Sequence, residues 1–154
     1  MASSFVYDVA KAGWGNGLLC LWSSTTASFY VTLLSNNYVP NPAHSFASNF
    51  SGAELSGGAG YSAGYNGSLR ISLTTRTVFS NTVSHQAEYR AADVSWLALN
   101  GGTAHAYAIL QQGGTDGNSP LIVYCSLGGF PLITSGGSIA ISFANSGIFQ
   151  LQDA

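Results

Sequence analysis

The chain alternates short stretches of aromatic and β-branched residues with clusters of Gly, Ser and Asn, a pattern that predicts many short strands joined by turns. The strongest stretches are residues 29–35 (FYVTLLS), 69–79, 85–89, 94–99, 104–111, 121–127 and 138–143. In the last of these, Ile139, Ile141 and Phe143 fall on one face while Ser138, Ala140 and Ser142 fall on the other, as in a half-buried strand. Residues 70–74 alternate in the same way, which turns Ile71 and Leu73 inward with Leu69. Turns are predicted at Asn100-Gly101-Gly102, at residues 113–118 and at Ser135-Gly136-Gly137, where Gly and Asn tolerate positive φ. The pattern predicts an all-β fold, a β-sandwich or jelly roll of about seven to nine strands with minor helix. Its expected core contains Leu33, Ile71, Leu73, Val94, Trp96, Tyr107, Ile109, Ile122, Tyr124, Ile139, Ile141 and Phe143.

Helix is expected in two short places. Ser4 is positioned to cap residues 5–12, and Pro42 to open a turn running through His44, Phe46 and Phe50. Residues 1–24 read as an N-terminal arm or first strand, and residues 25–154 as a single β-sandwich domain. Residues 51–67 (SGAELSGGAGYSAGYNG) read as a long loop, and long ordered loops are often contact surfaces.

Composition sharpens this picture. Hydrophobic residues make up 46% of the 154 residues, but charged residues only 6%, against about 25% in an average soluble domain. With three Trp, eight Tyr, eight Phe and a net charge of −2, the chain is apolar enough to fold, and its surface is uncharged over large areas. Such a surface suits packing against other subunits. Four basic residues, Lys11, Arg70, Arg76 and Arg90, cannot neutralise many phosphates, so no nucleic-acid partner is expected. Apolar runs of about five residues are far short of the roughly 20 of a membrane span, so no membrane partner is expected either. The first residues lack a basic segment followed by an apolar core, which places the expected site of synthesis in a host cytoplasm. Cys20 and Cys125 each sit in an apolar run and read as buried free thiols, a single bridge being the alternative.

Raw materials for catalysis are sparse. His44, His85 and His105 lie on separate elements without zinc-ligand spacing, and the carboxylates Asp8, Glu54, Glu88, Asp93, Asp116 and Asp153 are isolated in sequence. No catalytic residue, metal ligand or cofactor-binding residue is assigned, no cofactor is expected, and the chain reads as a non-enzyme. Asp116 alone is too little for a calcium site. The Gly-rich segments lack the Gly-Lys-Ser/Thr ending of a phosphate loop and are better explained as turns. Trp14, Tyr61 and Tyr65, in Gly-rich surroundings, are the candidate subunit contacts. The competing readings are that these rings pack within the chain, or that they present aromatic faces to a carbohydrate.

From Val31 to Phe46 (VTLLSNNYVPNPAHSF), through residues 57–65, Ala91 to Trp96, Ala104 to Leu110, the residue 113–119 turn followed by Pro120 to Tyr124, and residues 137–149, the order of segments resembles a group of small tailed-bacteriophage proteins. These are head decoration, or capsid cement, proteins, and the resemblance covers about four-fifths of the chain. The resemblance implies a virion structural protein that binds the outside of the head shell and stabilises it. Its implied partners are the major capsid protein and itself, as a homotrimer at local threefold positions. A tail or fibre component, with a carbohydrate-binding β-sandwich module, is the alternative. Relatives carry more Asp and Lys around Val31 and Gly113, where this chain has Ser, Asn and Gly.

Overall fold

The computed structural model describes residues 2–55, 58 and 61–152. Residues 56, 57, 59 and 60 of the expected loop, and Asp153, lie outside the described residues. In chain order the elements are β1 (Ser4–Val6), α1 (Asp8–Asn16), β2 (Phe29–Leu34), β3 (Ile71–Ser72), β4 (Thr77–Asn81), β5 (Gln86–Arg90), β6 (Val94–Trp96), β7 (Gly102–Ala104), β8 (Ala106–Gln111), β9 (Leu121–Cys125), β10 (Leu132–Thr134), β11 (Ile139–Ile141) and β12 (Phe149–Gln152). Short 3-10 turns occupy Ala47–Phe50 and Asp116–Asn118. The fold is all-β.

The strands are more numerous and shorter than expected because local backbone geometry divides two of the stretches and because Ser4–Val6, Leu132–Thr134 and Phe149–Gln152 add short strands outside them. Thr75, at φ 50°, separates β3 from β4, and His105 separates β7 from β8. All pairings are antiparallel, in a five-stranded sheet of order β1-β9-β8-β2-β3, a three-stranded sheet of order β12-β5-β4, and the pairs β10-β7 and β11-β6.

The five-stranded sheet is buried on both faces, which is why β2, β8 and β9 are continuous apolar runs rather than alternating ones. On one face Phe29, Val31, Leu33, Tyr107, Ile109, Val123 and Cys125 meet Trp96, Leu73, Leu99, Trp22 and Phe149 from the smaller sheets and loops. On the other, Leu34, Ala106, Ala108, Leu110, Leu121 and Tyr124 are covered by Tyr7, Tyr38, Ala47, Phe50 and Ala53. A register shift makes this possible: Ile109 faces Val123 but Leu110 faces Leu121, so Ile122 is the extra residue of a β-bulge. Ile122 and Val123 therefore both join the first cluster. Of the expected core, Leu33, Leu73, Val94, Trp96, Tyr107, Ile109, Ile122, Tyr124 and Ile141 are buried, whereas Ile71, Ile139 and Phe143 are half-buried at its margin.

The first two dozen residues are bound to this body. β1 pairs with β9, opposing Phe5 to Tyr124, and α1 follows at once. The helix begins at Asp8, later than expected from a Ser4 cap, because Ser4–Val6 is used as a strand. It stops at Gly17, whose φ of 77° ends it in the left-handed conformation that glycine adopts without a Cβ clash. The segment after Pro42 forms only the 3-10 turn Ala47–Phe50. Both cysteines are free, but Cys20 is exposed rather than buried, since its loop packs inward through Leu19 and Trp22 on either side.

Candidate functional site

The three candidate contact residues fall in different settings. Trp14 lies on α1, not in a loop, and is half-buried; its ring stacks 5.4 Å from both Tyr89 and Phe149 of its own chain. Its buried indole Nε1 has no hydrogen-bond partner among the described residues. Tyr61 is half-buried, and its hydroxyl donates to the Leu97 carbonyl at 2.6 Å. Tyr65 is the exposed one, at 37%. The structure thus places Tyr61 and Tyr65 on one loop, with Tyr61 held to the backbone of the 69% exposed Leu97, and leaves Trp14 in an intramolecular aromatic stack with Tyr89 and Phe149.

Loop 61–67 is held by its own backbone and by a buried ion network beneath it. Ser62 and Ser68 exchange backbone-to-hydroxyl hydrogen bonds at 3.1 and 3.2 Å, and Gly67 N–H donates to Gly64 O at 2.8 Å. A Cβ on Gly67 would lie 2.3 Å from Ser62 O, so this closure requires glycine. Underneath, the Arg70 guanidinium forms a bidentate pair with the Glu54 carboxylate and reaches Asp116 Oδ1 at 2.6 Å. Glu54 also accepts from Thr32 Oγ1 at 3.0 Å and from Gly64 N–H at 3.2 Å. Burial alone would lower the Arg70 pKa, but its hydrogen bonds and charge contacts with Glu54 and Asp116 outweigh that effect and raise it. The network ties the strand β2, the loop at Gly64 and the turn at Asp116 to one point. Sequence reasoning missed it: strand alternation put Arg70 outward, opposite Ile71 and Leu73. The available signal was an arginine set between Leu69 and Ile71 in a chain with few charges.

The other cations also hold contacts within the chain. Arg76 donates to the carbonyls of Trp22, Leu73, Ser24 and Ala27, with its guanidinium 4.9 Å from the Phe29 ring centre. Arg90 pairs with the buried carboxylate of Glu88 at 2.5 Å and lies over the Phe79 ring. Hydrogen bonds from Asn81 and then Arg90 hold Glu88 below the usual carboxylate range. Lys11 pairs with Asp8 on α1. Tyr7, Tyr38 and His44 form a hydrogen-bonded chain, and burial first, then Tyr38, pushes the Tyr7 hydroxyl far above its ordinary pKa. Among the described residues no group of three or more His, Cys, Asp and Glu side chains could hold a metal ion, and no helix is long and apolar enough to cross a membrane.

What faces outward is largely uncharged and includes several large apolar side chains. Leu21, Val39, Val83, Leu97 and Ile133 are each more than two-thirds exposed. Val78 and Phe79 of β4 are about half exposed, so this strand shows apolar side chains on both faces of its sheet. A separate cleft of about 410 Å³ brings Tyr38, Tyr124 and Phe130 together with Asn36, His105 and Ser126. Family models, curated proteins and solved structures were all compared with this chain, and none of them matches it.

Proposed function

We propose that this chain is a non-enzymatic virion structural protein that decorates the outside of a bacteriophage head and cements neighbouring capsid subunits. The observation that carries this reading is the distribution of polarity. Arg70, Arg76 and Arg90 are tied into the chain's own carboxylates and carbonyls, while large aliphatic side chains stand in solvent. A surface with so few free charges loses little on desolvation against another protein and is poorly suited to nucleic acid, which needs free cations. The resemblance of segment order adds the head shell as the partner and, as the form assembled on the shell at its local threefold positions, a homotrimer. Tyr65, exposed on the loop braced by Gly64 and Gly67, is the candidate contact residue that the surface presents.

A second reading, a tail or fibre component with a carbohydrate-binding module, is favoured by the cleft of about 410 Å³, where the half-buried Phe130 adjoins amide, imidazole and hydroxyl groups beside the buried Tyr38 and Tyr124. Quantitative gel analysis of separated heads and tails distinguishes the two in a phage that carries this chain. Decoration requires hundreds of copies per particle that stay on tailless heads. Recovery in the tail fraction alone overturns it in favour of the second reading, and recovery in neither fraction overturns both.

A further inference from the structure

We infer that the outer edge of β4 is a self-association surface, at which β4 of one chain adds antiparallel to β4 of a second copy about a twofold axis through Phe79. The two three-stranded sheets then join as one continuous sheet.

The edge is open and ready-made. β4 is the outermost strand of its sheet, and among the described residues no strand pairs with its far side. Natural proteins block such edges with charge, proline or a bulge. Residues 77–87 (TVFSNTVSHQA) contain no charged residue and no proline, and the β4-β5 register runs without a shift from Thr77 opposite Arg90 to Asn81 opposite Gln86. The hairpin is also held in shape before any partner arrives. Asn81 Oδ1 accepts from Val83 and Ser84 N–H across the turn, and Asn81 Nδ2 donates to Glu88 at 2.8 Å.

The occupant follows from the chemistry of the edge. A charged partner strand would meet no counter-charge, since the nearest charges, Glu88 and Arg90, already neutralise each other one strand back. The chain's own β4 has the matching length and neutrality. With the axis at Phe79, the two Phe79 rings oppose each other on one face, flanked on that face by Thr77 opposite Asn81, while Val78 opposes Ser80 on the other. Aromatic pairs and polar pairs in those positions are favourable cross-strand neighbours, and no like charges are directly opposed, the Arg90 guanidinium over each Phe79 ring being paired with Glu88 of its own chain. A five-residue strand pair is smaller than the roughly 1,600 Å² of a standard stable interface, so the dimer builds with concentration instead of persisting at dilution. This pairing does not depend on where the protein sits in a particle.

Sedimentation equilibrium of the full chain tests it. The weight-average mass is expected to rise with concentration from the 15.9 kDa of the monomer towards twice that value. Phe79→Lys, a change at an exposed position whose folding far-ultraviolet circular dichroism verifies, is expected to hold the mass at the monomer value. In a Cys20→Ser background, Phe79→Cys is expected to form a covalent dimer under mild oxidation, because opposed residues of an antiparallel pair lie about 4.5–5.5 Å apart, within disulfide range. Val83→Cys, though 91% exposed, lies in the turn beyond Asn81, whose two copies are already about 14 Å apart at ~3.4 Å per residue, and is expected not to crosslink. A mass fixed at 15.9 kDa throughout overturns the inference. So does any oligomer that survives Phe79→Lys, or a Phe79→Cys crosslink no faster than that of Val83→Cys.

Discussion

Replacing Arg70 by Met removes the cation from the point where three segments converge, while keeping most of the side-chain volume. The Arg70 side chain is 1% exposed and that of Glu54 5%, so the substitution strands a carboxylate in the interior with, among the described residues, Thr32 Oγ1 and Gly64 N–H left to solvate it. Breaking a buried ion pair from one side costs about 3–5 kcal/mol. In a chain of this size 1 kcal/mol moves the melting temperature by about 2–4 °C, so a fall of roughly 6–20 °C is expected. The double change Arg70→Met with Glu54→Gln removes the stranded charge and keeps a carbonyl to accept from Thr32 and Gly64. It is expected to recover more than half of the loss, since neutral replacement of a buried pair is often close to neutral in stability. Asp116, 28% exposed, retains water when Arg70 is absent, so Asp116→Asn is expected to cost only about 1 kcal/mol. Thermal and urea unfolding followed by circular dichroism at pH 7 measure all three. A melting temperature within about 2 °C of wild type for Arg70→Met, or an Asp116→Asn loss as large as the Arg70→Met loss, refutes the reasoning that the network anchors the loop.

Two further outcomes can be checked in the same apparatus. Trp96 is fully buried and its indole N–H donates to the Leu69 carbonyl at 2.7 Å, so Trp96→Ala is expected to cost at least about 3–5 kcal/mol and to lower the melting temperature by more than 6 °C at ~2 °C per kcal/mol; a shift of only a few degrees would place that ring outside the core. Glu88 has a folded pKa below its unfolded one, so its contribution is complete above the ordinary glutamate range near about 4.3 and fades as pH falls through the lower folded value. Unfolding titrations of wild type and Glu88→Gln are expected to differ at neutral pH and converge in acid, and a constant difference across that range rules the linkage out.

The strands buried on both faces were legible in the sequence because their composition needs no partner to be recognised: FYVTLL, AYAILQ and LIVYC are continuous apolar runs. Alternation also located β11, and the aromatic and β-branched content around Trp96 marked its burial. Short edge elements were harder to read. Ser4–Val6, Leu132–Thr134 and Phe149–Gln152 are three or four residues long, and their strand character comes from the strand each lies against. Alternation failed at Arg70 because the rule assigns polar residues to solvent, whereas this side chain is matched by carboxylates 16 and 46 positions away. Trp14 misled for a related reason. Its flanking glycines suggested a loop, but the residues from Asp8 onward form a helix whose stacking partners, Tyr89 and Phe149, are remote in sequence.

The pairing of β1 with β9 has a consequence for how the chain is made. Ser4 leaves the ribosome well before its partner in the ladder, Cys125, which follows 121 residues later. At about 5–20 residues per second, β1 waits for several seconds with nothing to pair with. The middle of the sheet has the same difficulty on a smaller scale, because β2 must wait for β8. Folding is therefore late and dominated by contacts between distant parts of the chain, a topology associated with slow rates and a long exposure of unpaired strands. During that interval the apolar runs that will become the centre of the sheet are the segments most prone to pair with another chain.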